Sequence, residues 1–241
     1  NIYGCTDSLA ENYNSDANID DASCNYPDNG DYSLSFDGDD DYVQIENVEP
    51  EEALSIVVKF KSPSSLAKIV EHAQDYFLML AYDKIRFHIQ GTEINSQINL
   101  SDNKWHTVIA TWDGSNMKLY IDGNLSSEVG KSGEIIYDPN YTTTLLGKRY
   151  NDSEYLNGSL DELSIWDRAL NNDEIGMISN NQFEYNLDSS MLAYYSFDSG
   201  EGNIVYDHSD NKNHGTIYGA TWEENIYGCT DSLAENYNSD A

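Results

Sequence analysis

From Tyr32 to Trp222 apolar and polar positions alternate, or run apolar over strand lengths, and Gly, Asn and Asp interrupt them at short intervals. A period of two is the mark of strands with one wet face. YSLSF, YVQI, LSIVVKF, AKIVEH, YFLMLAY, KIRFHIQ, HTVIATW, MKLYID, TTTLLGK, LDELSIW, MLAYYSF and HGTIYGA all read this way. WDGSN and IDGN supply hairpin turns through Asp113-Gly114 and Asp122-Gly123. One helix is predicted from Asn172 to Ser179, capped by Asn171 or Asn172, with Asp173 and Glu174 in the first turn where the dipole favours them. About a dozen strands in this span predict an all-β fold of two packed antiparallel sheets. Trp105 and Trp112 are expected to plug the core, Leu163 and Trp166 to pack the last outer strand, and the helix to cover an end of the sandwich.

A second pattern frames the first. Residues 1–17 and 225–241 are both NIYGCTDSLAENYNSDA, so the chain repeats with a period of about 224 residues. A period that long implies beads of whole domains, not a solenoid. The expected organisation is a cysteine-bearing acidic linker over 1–26, a sandwich over 32–222, and the start of the next linker over 225–241. The repeat explains the odd cysteine count: Cys229 occupies the place of Cys5, while Cys5 and Cys24 predict a disulfide. Closing a loop of that size contributes about 3 kcal/mol to a segment too short to build a core. A disulfide also implies an oxidising compartment.

Charge narrows the partners. Asp and Glu number 43 against 12 Lys and Arg, a net charge of −31. Nucleic acid and anionic membrane surfaces are repelled by such a chain, and it holds no membrane-spanning apolar run. What stays open is a solvated acidic surface or carboxylates gathered on divalent cations. Asp16, Asn18 and Asp20 alternate, with Asp21 next, as hard-cation ligands do; an Asx-turn fits the same residues. The loop DHSDNKNHG offers Asp207, Asp210 and Asn213 with the same two readings. If strands 32–36 and 160–166 are antiparallel neighbours, Asp37, Asp39, Asp40 and Asp41 approach Asn157 and Asp161; Asp37, Asp40 and Asp161 are then the expected calcium ligands. Calcium is the one cofactor expected.

Several segments carry a family resemblance. FDGDDDYVQI (36–45), NKWHTVIATWDG (103–114), MKLYIDGNL (117–125) and LNGSLDELSIWDRALNNDEI (156–175) resemble, in order, the signatures of a laminin-G-like, concanavalin A-like jelly roll. Residues 192–222 look like the closing segment that often accompanies such domains in bacterial surface proteins. Residues 1–26 resemble the GCTD-type, cysteine-paired acidic repeats of marine bacterial surface proteins, and distantly thrombospondin type 3 calcium repeats. The resemblance implies a jelly-roll sandwich, with calcium at a sheet edge and glycans as possible ligands. Tyr141, Tyr150 and Tyr155 lie in loop-like stretches where they could stack on sugars.

Catalysis finds little support. The five His residues show no zinc spacing, and no nucleophile elbow, Walker loop or dinucleotide fingerprint is present. Asp161 and Glu162 are adjacent, so they are expected to point to opposite faces and cannot act as a pair. The leading expectation is a non-catalytic structural and adhesive repeat of a secreted or bacterial surface protein or appendage. Its partners would be adjacent identical repeats and neighbouring chains of a filament. The alternative is a carbohydrate-binding module of an adhesin or secreted enzyme.

Overall fold

A computed structural model describes residues 1–46, 48–73, 75–185 and 188–226. Two eight-stranded antiparallel sheets face each other. The first runs in the order β10 (Asn124–Gly130), β9 (Asn116–Ile121), β8 (His106–Trp112), β3 (Leu54–Lys61), β12 (Asn157–Trp166), β1 (Tyr32–Asp37) and β16 (Thr221–Glu224), with β13 (Met191–Tyr195) also pairing with β12. The second runs β14 (Ile204–Val205), β15 (Gly215–Tyr218), β2 (Tyr42–Glu46), β11 (Thr143–Leu146), β4 (Leu66–His72), β5 (Tyr76–Ala81), β6 (Lys84–Ile89) and β7 (Thr92–Asn95). No described helix is long and apolar enough to cross a membrane.

Alternation decides what enters the core. Leu54, Ile56, Val58 and Phe60 of β3 face inward with Val108, Ala110 and Trp112 of β8, against Leu78 and Leu80 of β5. Trp105 is seven residues before Trp112, an odd step, and it precedes the strand; it is 39% exposed and lies under the Lys61 ammonium, 5.1 Å from its ring centroid. Of the two tryptophans expected in the core, only Trp112 is there. Four strands carry no pattern that predicts them: β7, β10, β14 and β16. Polar, exposed sequences such as NLSSEVG and TWEE belong to edges, where few positions are buried.

The helix α1 (Asn172–Ser179) forms as expected, with Asn171 accepting from the Asp173 and Glu174 amides and Glu174 completing a capping box. It does not cover an end. Ile175 and Ile178 pack on Val57, Ile109, Tyr120 and Trp166, the outer face of the first sheet. Nor is β12 an outer strand: it is hydrogen-bonded to β1, β3 and β13.

Cys5 and Cys24 are joined, with Cα atoms 4.7 Å apart. The stapled segment packs on the sandwich. Tyr26 stacks on Tyr206 at 5.2 Å, the Asp7 carboxylate meets His214 Nε2 at 2.6 Å and accepts from Tyr26 Oη at 2.7 Å, and Lys212 pairs with Asp20. Cys229 and most of the second copy lie outside the described residues. Asn225, its first residue, donates to the backbone and side chain of Asp31.

Candidate functional site

Three places gather chemistry. The first is the outer face of the second sheet. Tyr76, Leu78 and Leu80 point into the core, so Phe77, Met79 and Ala81 point away from it and form a separate apolar cluster. Long polar side chains wall this strip into a groove of about 330 Å³. His88 stacks on Phe77 with centroids 4.3 Å apart, and the Lys68 ammonium sits 3.2 Å from the same ring. Arg86 pairs with Glu93 at 3.3 Å and Arg149 with Glu154 at 2.8 Å, so the guanidinium groups are held in place. Tyr82 stands 82% exposed at the rim. Beneath the groove, the fully buried Glu71 meets Lys68 at 3.3 Å. Burial pushes Glu71 up to about 7 despite Lys68, and burial lowers Lys68. An apolar strip between anchored polar groups is the usual build of a sugar or small-ligand cleft.

The second place is the turn after β1. β1 and β12 are antiparallel neighbours, and Asp37 lies opposite Asn157. Asp37, Asp40 and Asp41 present carboxylate oxygens within 4.8 Å of one another, and no other such group of three acidic, His or Cys side chains occurs among the described residues. The Asp41 carboxyl is raised by burial and by Asp37, Asp40 and Asp39, although it accepts from the Asp37 amide at 2.8 Å. Gly219 is part of this packing: any side chain there would enter the Asp41 carboxylate. Such a hard-oxygen set fits calcium.

Asp161 does not join that turn. It sits four positions along β12, paired across the sheet with Lys59. Nor do Asp161 and Glu162 point to opposite faces. A bulge interrupts β12 between Asp161 and Ser164, and Glu162 adopts φ +49°, so Leu160 and Leu163 both enter the core while the two acids turn outward together. They line a third place, a pocket of about 270 Å³ with Asp28, Asp31, Asp198 and Lys59. Asp161 is only 8% exposed; burial first, then Glu162, raises its carboxyl to about 8. Glu162 is raised too, chiefly by burial, while the Tyr194 hydroxyl donates to it at 2.7 Å. A second lobe of about 300 Å³ adjoins through Lys59 and Glu162, lined by Val57, Ile178, Phe183, Tyr185 and Tyr194. The signal for this site was in the sequence: in LDELSI the apolar spacing is three and then two, which a strand accommodates only with an extra residue.

Most of the remaining expected ligands already have hydrogen-bond partners. Asp207 is fully buried and accepts from the amides of Tyr194, Ser209 and Asn213 and from the Ser209 hydroxyl. Asn213 donates to the Leu192 carbonyl. Asp20 takes Thr6, the Ala22 amide and Lys212, Asp21 caps the Ser23 amide, and Asn18 accepts from the Ile2 amide. Asp16 and Asp210 are exposed. Tyr141 and Tyr150 come together edge to face at 5.0 Å, with Tyr150 bonded to the Thr143 carbonyl, while Tyr155 is half-buried.

Residues 37–176 match the Laminin_G_3 family model, described as the concanavalin A-like lectin/glucanases superfamily. The mouse sushi, von Willebrand factor type A, EGF and pentraxin domain-containing protein 1 is 26% identical over 168 residues, covering 64% of this chain and 5% of its own length. The chain thus spans about 5% of that curated relative. Among solved structures, a candidate carbohydrate-binding protein from Bacteroides ovatus superposes with a TM-score of 0.66 at 17% identity, over 90% of this chain and 66% of that one. The heptameric SAP-like pentraxin of Limulus polyphemus gives 0.52 at 17% identity, over 63% and 83%. A jelly-roll sandwich in which more than half the chain matches one family model settles the kinship: the chain belongs to the concanavalin A-like lectin/glucanases superfamily.

Proposed function

We propose that this chain is a non-catalytic, extracellular adhesive module that binds glycans on the outer face of the second sheet. The observation that carries the reading is the groove over Phe77, Met79 and Ala81, flanked by the anchored Arg86 and Arg149 and overlooked by Tyr82. The exposed Tyr82 at the rim offers a ring to the apolar face of a sugar, and the guanidinium and carboxylate groups offer partners to its hydroxyls. The fold's kinship with a candidate carbohydrate-binding protein supports the same reading. On a glycan array, native protein should bind a defined set of glycans, and Tyr82→Ala with Arg86→Ala should lose at least tenfold in signal. Equal binding by native and variant protein would move the sugar site elsewhere, with Tyr141, Tyr150 and Tyr155 next to be tested.

Calcium at Asp37, Asp40 and Asp41 is proposed as the stabilising cofactor. Close carboxylates repel one another unless a cation compensates, and calcium takes 6–8 oxygens. A cation that binds only the folded state at about 100 times its Kd contributes about 2.7 kcal/mol, roughly 5–10 °C in Tm for a domain of this size. Melting curves in calcium and in EDTA should differ by that amount and coincide for Asp37→Asn/Asp40→Asn. Identical curves for the native protein would remove calcium from the account.

The exact duplication of residues 1–17 at 225–241 supports a repeated, surface-displayed arrangement in which identical units are each other's neighbours along the chain, as in a bacterial appendage. The segment over 1–26 then serves as the joint, stapled by Cys5–Cys24 and docked on its own sandwich.

A further inference from the structure

We infer that the two-lobed cleft at the β12 bulge binds an organic cation, an ammonium carried on an apolar stem. Five carboxylates, Asp28, Asp31, Asp161, Glu162 and Asp198, face a single ammonium, Lys59. Asp161 is more than nine-tenths buried, opens onto the pocket and accepts no hydrogen bond among the described residues. Lys59, though its cross-strand neighbour, makes no ion pair within 4.0 Å among those residues. A buried carboxylate without a partner is costly, and so is a left-handed backbone at a non-glycine such as Glu162. Both costs fall at one site, and both serve to turn two consecutive acids onto one surface.

The arrangement favours an organic cation over a metal ion. A metal needs oxygens converging on one point, as in the Asp37–Asp41 turn. Here no three of the five carboxylates bring oxygens within 4.8 Å of one another. They are spread along a wall, which suits a group with several diverging N–H donors. The second lobe supplies what a metal would not use. Tyr185 and Tyr194 stack with centroids 4.0 Å apart, and Phe183 meets Tyr185 edge to face at 5.1 Å. With Val57 and Ile178 they form an apolar shelf for a hydrocarbon stem, and aromatic faces attract the ammonium end. A lysine-like chain laid over Glu162 would rest its stem on that shelf and point its charge toward Asp161.

The test is titration calorimetry on the full chain with Nα-acetyl-lysine methylamide, cadaverine, the uncharged isostere Nα-acetyl-norleucine methylamide, and calcium chloride. The amines should bind at least tenfold more tightly than the norleucine compound, and Asp161→Asn should cost at least tenfold while Asp37→Asn/Asp40→Asn leaves amine binding unchanged. A lysine derivative that outbinds cadaverine points to a polypeptide side chain as the source, and the reverse order to a free polyamine. Equal affinity for the norleucine isostere, no detectable binding of either amine, or calcium binding that Asp161→Asn abolishes would each overturn the proposal. The titrations are run at pH 8.5, where Asp161 is ionised, and a signal lost in Asp161→Asn cannot be blamed on unfolding when its circular dichroism is native-like and it melts no lower than the native protein.

Discussion

The Asp161→Asn variant is expected to melt roughly 10–20 °C above the native protein at pH 8.5, and close to the native protein at pH 4. Burial, then Glu162, with Asp198 and Asp31 adding, lifts the Asp161 carboxyl from its ordinary 3.8 to about 8, and Lys59 offsets only part of this. The folded protein therefore holds a proton that the unfolded chain releases above about pH 4. Stability falls as the pH climbs from there toward 8, and the whole penalty is present above 8. Each tenfold gain in proton affinity on folding is worth about 1.4 kcal/mol, and each kcal/mol moves the melting point of a domain this size by roughly 2–4 °C. Asparagine never ionises and escapes the loss. Calorimetry from pH 4 to 9 reads the result directly; a constant difference between the two proteins would show that charge on Asp161 is not its cause. A residue whose removal stabilises the fold is the kind that function retains.

Removing Lys68 should act in the opposite sense. Lys68→Met is expected to destabilise by about 3–5 kcal/mol, the usual result of leaving one partner of a buried ion pair alone. Glu71 is fully buried and neither of its carboxylate oxygens is hydrogen-bonded, so the Lys68 ammonium is what compensates it. The double variant Lys68→Met/Glu71→Leu should recover most of the loss, since two apolar side chains can occupy the same space without desolvating a charge. The single variant's deficit should also shrink below pH 5, where Glu71 is neutral in the folded chain and increasingly so in the unfolded one. Urea unfolding of the three proteins at pH 7.5 and pH 4.5 tests both statements. A double variant no more stable than the single one would mean that the pair acts through packing.

How much of this was legible beforehand depends on where each residue sits. The helix was readable because Asn171, Asp173 and Glu174 carry their capping chemistry locally. That β1 and β12 are neighbours is only a condition in the sequence, which the register meets, while the disulfide follows from the repeat. The groove was not readable: YFLMLA is apolar on both faces, so no alternation shows that Phe77, Met79 and Ala81 leave the core. Asp161 would lie beside Asp37 only if β12 began at Leu160; it begins at Asn157, which takes the place opposite Asp37, and one extra residue after Asp161 is enough to turn Glu162 onto the face its neighbour occupies. Asp207 reads like a ligand in sequence because short-range motifs show donors and acceptors but not the Tyr194 amide that folding brings to it.

The pairing of Tyr32 with Glu224 has a mechanical meaning. The polypeptide enters the sandwich and leaves it at the same end of one antiparallel pair. Tension along the chain would therefore load the β1–β16 hydrogen bonds one after another from that end, as a zipper opens, instead of sharing the load among them. The four residues of β16 and the Asn225–Asp31 contact would yield first, at low force. Each released residue adds roughly 3.3 Å of extended chain, while β12, held on both sides within the sheet, stays closed. A string of such modules would give a little under a weak pull and recover its length when the pull stops.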